Sequence, residues 1–256
     1  MSYIKPNLKK YDSLKLLLES KDSIFFFEPN INIDQLPKHS RVFLVSEPGY
    51  GKTRLLKERI LGNAQAGIFL DLKKLGKQNI ETYLTITNFP ILKNTKYNEE
   101  LKNWKLFKTK NFELKDSEDK IFCFDALDEV KQEDFSEVVE SIKNFIQKYE
   151  KSNFLISCRK NYLYKWQHLF SEINFDYIEI YPLDTPKVKE FLFAFGIVQG
   201  RIDDLLEKLH FQNRKYIIQT PRYLEMIAEL VQEEGMDKLE NINRGELFER
   251  FIYQKL

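Results

Sequence analysis

The chain has 256 residues, 43% hydrophobic and 31% charged, which places it among globular proteins able to bury one large core or two modest ones. With 40 lysines and arginines against 39 aspartates and glutamates, its formal net charge of +1 excludes a global attraction to nucleic acid or an anionic membrane, so any such binding has to be local. The two cysteines, Cys123 and Cys158, lie in apolar strand-like runs. With no secretory signal pattern and no apolar run near the roughly 18 residues of a membrane span, they point to a reduced, cytoplasmic protein.

Taken in chain order, residues 6–20 carry Leu8, Tyr11, Leu14, Leu17 and Leu18 at helical spacing, and a short apolar run follows at 24–27. Residues 1–40 therefore read as an N-terminal helical adaptor, too small to be a domain. An apolar strand at 42–45 then runs into SEPGYGKT. Gly49 and Gly51 suit a sharp turn because they tolerate positive φ, and the turn aims successive N–H groups at one point where a helix begins near Gly51. That end of a helix already favours anions. The nucleotide-binding stretch is Ser46, Glu47, Pro48, Gly49, Tyr50, Gly51, Lys52, Thr53 and Arg54. Lys52 is placed to reach the β and γ phosphates, and the Thr53 hydroxyl to ligate magnesium. Ser46 stands where G-x-x-x-x-G-K-[ST] has its first glycine, so either the exit from the strand is less tight or serine is tolerated there.

Further strands are expected at 67–72, 120–125, 153–157 and 177–181, most of them apolar almost throughout, as in a parallel sheet covered on both faces by helices. Between the second and third of the five strands, residues 76–119 are too long for a plain loop, and irregular helices are expected, one near 97–107. The lysines of this insertion are nearly balanced by acidic residues, which favours a solvated segment over a nucleic-acid site. Residues 134–149 form an amphipathic crossover helix opened by Asp134 and Glu137 as a variant capping box. From residue 183 onward the pattern is all helical: a helix capped by Thr185 with Pro186 in its first turn, then 202–209, 221–234 capped by Thr220, and 244–256. The last is still amphipathic where the chain stops, so a longer protein is expected.

In IFCFDALDEV, residues 121–130, Asp125 sits at the tip of a buried strand, with Asp128 and Glu129 just beyond it. Asp125 is placed to hold magnesium opposite Thr53, and Glu129 to orient or deprotonate a water attacking the γ phosphate. Arg159 ends the next strand and is placed to reach the γ phosphate.

SEPGYGKT, DALDE, NFLISCRK and TPRYLEMIAEL together resemble the nucleotide-binding module of the NACHT group of STAND ATPases, switch proteins of innate immunity and bacterial antiviral defence. The resemblance covers roughly 41–256. Its most specific part is DALDE, where that group has D-G-[LF]-D-E and this chain has Ala126 for the glycine. It implies a P-loop NTPase core at 41–182, an α/β three-layer sandwich with a parallel sheet, followed by a small helical lid at 183–256. It further implies ATP and ADP as ligands with Mg2+ on Asp125, Asp128 and Glu129 as a catalytic acidic pair, Arg159 as a sensor, and Pro221 against the adenine. The expected behaviour is slow ATP hydrolysis and self-association in the ATP state, with effector and sensor parts supplied by segments or partners outside this chain. An AAA+ type remodelling or DNA-loading ATPase is a rival, for which Arg214 or Arg222 is the candidate second arginine. A catalytically idle nucleotide-binding scaffold is another. A small GTPase is disfavoured, since no N-K-x-D string is present and Asp128 stands where D-x-x-G needs glycine.

Overall fold

The computed structural model describes residues 4–11, 16–17, 33, 36–61, 67–86, 120–210, 215–236 and 244–255. Six strands, β1 Asn7–Tyr11, β2 Arg41–Val45, β3 Gly67–Asp71, β4 Ile121–Asp125, β5 Asn153–Cys158 and β6 Asp176–Tyr181, form one sheet in the order β1-β6-β2-β5-β4-β3. β2 is parallel to β5 and β6, and β4 is parallel to β3 and β5. The central strands read as continuous apolar runs because neither face meets water: every residue of β4 and of β5 is buried.

Strand alternation sorts these side chains into two faces. On one, Phe122 and Phe124 of β4 and Phe154 of β5 pack against helix α3, Phe135–Lys148, through Val138, Ile142 and Phe145; helices α1 and α2 are Lys52–Leu61 and Ile80–Ile86, and α4 is Lys160–Trp166. The Phe122 ring meets Phe145 edge-on with centroids 4.9 Å apart and stacks on Phe154 at 5.3 Å. On the opposite face lies α1. There the Cys123 Sγ donates to the Leu56 carbonyl at 3.7 Å, and a Cβ on Gly67 would fall 2.5 Å from Ile60 Cγ2, so only glycine lets α1 lie this close to β3. Helix, sheet and helix make the three layers of an α/β sandwich. Both cysteines are free and buried, and burial pushes both thiols above their ordinary range.

Contacts divide the chain into two units, Leu8–Glu47 with Lys52–Ile180, and Met1–Asn7 and Pro48–Gly51 with Tyr181–Leu256. The second contains α5 Thr185–Ala194, α6 Gln199–His210, α7 Lys215–Gln219, α8 Pro221–Glu234 and α9 Arg244–Lys255. It has a core of its own, with Leu192, Ile202, Leu205, Leu224, Ile227 and Leu247 buried together. Among the described residues no helix is long and apolar enough to cross a membrane.

Several local expectations are corrected. Residues 7–11 are a strand, not the start of a helix; helical structure appears at 16–17. An edge strand leaves a row of unpaired N–H and C=O groups, and β1 covers that edge of β6, which outweighs the local period. Tyr11 secures the pairing by donating to Glu179 Oε2 at 3.0 Å. The capping box at Asp134 does not form, because Asp134 is already in the helical region (φ −101, ψ −7) and its side chain caps nothing. Asp184, not Thr185, caps α5: its extended backbone lets Oδ1 accept from the Lys187 N–H at 3.0 Å. Thr220 precedes α8 without a side-chain cap bond. The apolar run at 24–27 and the helix expected near 97–107 lie outside the described residues.

Phe122→Ala removes a ring that is 0% exposed at the centre of the aromatic layer. The expected cost is about 3–5 kcal/mol of unfolding free energy, read from urea unfolding. An unchanged midpoint would contradict this packing.

Candidate phosphate-binding site

Sheet order creates the site. From β2 the chain crosses to β3 at the far edge, past β5 and β4, whereas from β5 it crosses to β6 on the other side of β2. Connections that leave adjacent parallel strands in opposite directions open a crevice at their carboxyl ends, where open α/β sheets take ligands. The ends of β2, β4 and β5 carry Ser46, Asp125 and Arg159 into this region.

Beyond β2 the chain turns through Gly49 (φ +86) and Gly51 (φ +90), and α1 starts at Lys52. Ser46 does not take a positive φ, so the backbone at the first position of the loop does not require glycine. The crest, Pro48–Gly51, groups with the helical unit. Gly49 O accepts from Arg222 N at 3.3 Å, and a Cβ on Gly49 would lie 3.1 Å from Thr220 Cγ2.

Lys52 turns its ammonium back onto the start of the loop. It donates to Ser46 O at 3.0 Å, to Ser46 Oγ at 3.1 Å and to Glu47 O at 3.4 Å. Burial holds its pKa below the usual lysine range, and nearby Arg159 adds to this, while Asp128, Cys158 and Asp125 oppose it. Thr53 Oγ1 donates to Asp125 Oδ2 at 2.6 Å. Asp125 Oδ1 accepts from Ser157 Oγ at 2.5 Å, and the same hydroxyl accepts from Ala126 N at 2.8 Å. Arg54 reaches Glu58 at 4.0 Å, one turn along α1.

After Asp125 the backbone reverses through Ala126 in the left-handed region (φ 60, ψ 47) into a 3₁₀ turn, Leu127–Glu129, pinned by buried Leu127. This is the position where the resembled group has glycine. The turn splits the two acidic residues. The Asp128 side chain is 5% exposed and accepts from Arg159 Nε at 2.7 Å and from Arg159 N at 3.2 Å. Glu129 is exposed and meets Lys73 Nζ at 3.1 Å. Thus Lys52, Thr53, Asp125, Asp128 and Arg159 share one set of strand ends, with Glu129 at its rim. Pro221 opens α8 in the helical unit, where Arg222 pairs with Glu225; Arg214 lies outside the described residues.

Two participants carry no sequence signal. Ser157 looks like any small residue in NFLISCRK, and only the placement of β5 beside β4 brings it to Asp125. Lys73 looks like one more surface lysine until β3 pairs with β4. The replaced glycine at Ala126 was the one visible mark of the unusual turn.

The donor set fits a magnesium nucleotide. Among the described residues no group of three or more His, Cys, Asp and Glu can hold a metal alone. Thr53 and Asp125 supply hard oxygens side by side, which suits Mg2+, an ion that keeps several waters and shares phosphate oxygens.

No protein-family model matches the chain, and no curated protein matches it. Among solved structures, the chain is similar to a point variant of Thermotoga maritima RuvB, at 12% identity and a TM-score of 0.42, over 84% of this chain and 61% of that one. It is also similar to the Thermotoga maritima RuvB Holliday junction branch migration motor, at 13% identity and a TM-score of 0.38, over 84% and 61%. The chain thus spans about 61% of the length of these structures.

Ala126→Gly relieves the left-handed strain at some cost in chain entropy, and a net stabilisation of about 0.5–1 kcal/mol is expected. Ala126→Val, with a branched Cβ at the same φ, is expected to destabilise by more than about 1 kcal/mol. Urea unfolding of the two variants reads the sign. For Lys52 the folded-state pKa is depressed, so the native state binds fewer protons than the unfolded chain between that value and the ordinary 10.5. Stability of the parent relative to Lys52→Met should therefore rise as pH climbs through this window and level off above 10.5, as read by denaturation at several alkaline pH values.

Proposed function

We propose that the chain is an ATP-binding switch module of the NACHT and STAND kind, which hydrolyses ATP slowly and self-associates in its ATP state. The observation that carries this reading is the meeting of Thr53 and Asp125 at 2.6 Å beside Lys52, at the carboxyl ends of β2 and β4. Lys52 takes the β and γ phosphates. Thr53 and Asp125 hold Mg2+, which, when bound, neutralises charge on the transferring phosphoryl group. Both oxygens of Asp128 are engaged by Arg159, so Asp128 positions the arginine, whereas Glu129 meets Lys73 through Oε2 alone and is the carboxylate that accepts a proton from the attacking water. Arg159, still about half exposed, retains donors for the γ phosphate. In this reading Pro221 recognises the base, and effector and sensor functions reside outside this chain.

Adenine specificity is tested by titration with labelled ATP and GTP in Mg2+; ATP is expected to bind more tightly, and equal or better GTP binding would overturn the assignment. Glu129→Gln is expected to bind ATP about as well as the parent and to turn it over on the order of 10²-fold more slowly. Light scattering on this variant should show larger particles with ATP than with ADP. Equal size with ATP bound would favour the idle scaffold.

A further inference from the structure

We propose that Ser46 is a positioning residue that latches Lys52 onto its own loop, so that phosphate has to displace an internal ligand before the lysine is available. The inference rests on the nucleotide-binding reading of this loop and adds a regulating element to it. Ser46 is 1% exposed, so water does not satisfy its hydroxyl. The hydroxyl has one proton, and that proton goes to Glu47 O at 2.9 Å. Its lone pairs are thereby left to accept from Lys52 Nζ, 3.1 Å away. A lysine ammonium has three N–H groups, and the loop supplies three acceptors: Ser46 O, Ser46 Oγ and Glu47 O. The latch is closed on itself, since Glu47 O receives both the serine hydroxyl and the ammonium.

Two of these acceptors are backbone carbonyls that any sequence would offer. The third exists only because residue 46 has a side chain. The backbone at Ser46 does not take a positive φ, so a Cβ is accommodated without strain and glycine is not required for geometry. What the hydroxyl changes is the state of the lysine: Lys52 is fully ligated before any anion arrives. A phosphate oxygen must compete with a charge-assisted hydrogen bond, which lowers affinity for every ligand that uses Lys52 and leaves discrimination between bases untouched.

The test uses the full chain and two variants, Ser46→Ala and Ser46→Gly, with folding of each checked by thermal unfolding. In the nucleotide-free protein, the rate of Lys52 modification by an amine-reactive reagent, located by peptide mass mapping, is expected to rise in both variants. An unchanged rate in folded variants overturns the latch. In titrations with labelled ATP and ADP in Mg2+, both variants are expected to bind about tenfold more tightly than the parent, the scale of one charge-assisted hydrogen bond. Equal or weaker binding overturns the proposal. If the parent binds neither nucleotide, the nucleotide-binding reading fails, and the modification rate alone decides the latch.

Discussion

A carboxylate cannot be buried at the tip of a strand unless its oxygens are hydrogen-bonded, and Asp125, 6% exposed, obeys this constraint through two hydroxyls from different elements. Thr53 comes from α1 and Ser157 from β5, so one side chain ties together the helix behind the loop and two adjacent strands. Proton direction is fixed throughout. Ala126 N can only donate to Ser157 Oγ, which sends the serine proton to Asp125. The Thr53 proton goes to the other oxygen.

The same tie sets up the strained turn that follows. Ser157 holds Ala126 N, and the chain then passes through a left-handed alanine before the acidic pair. Non-glycine residues in this region carry a steric cost and persist where the surroundings over-determine them. Here a hydroxyl on one side and buried Leu127 on the other do so. The result is a spatial division of two neighbouring carboxylates: Asp128 is drawn inward to Arg159, while Glu129 is left at the rim against Lys73.

A common feature of the site is that its charged groups are already partnered within the protein. Lys52 is satisfied by the loop, Arg159 by Asp128 and Glu129 by Lys73. Lys52 and Asp128 are partly buried, where a free charge is costly, so their partners serve as placeholders, whereas Glu129 and Lys73 meet at the exposed rim. Any anion that binds there works by exchanging one set of charge-assisted bonds for another.

Much of the fold was legible in the sequence, because the information needed was local. Apolar runs bounded by turns located the strands from β2 to β6, the spacing of Phe135, Val138, Ile142 and Phe145 located α3, and the glycines before Lys52 required a turn that only positive φ permits. Asp125 was legible as the polar end of an apolar strand. Where pairing at long range intervened, the local signal misled: the spacing of Leu8 and Tyr11 suggested a helix, but the open edge of β6 made residues 7–11 a strand. Caps shifted by a residue or lapsed, since they depend on ψ at one position. The order of the sheet, the burial of Ser157 against Asp125, the capture of Asp128 by Arg159 and of Glu129 by Lys73 were decided only by tertiary structure. These contacts join residues tens of positions apart, and spacing along a chain constrains which face a side chain takes but not which strand comes to lie beside it.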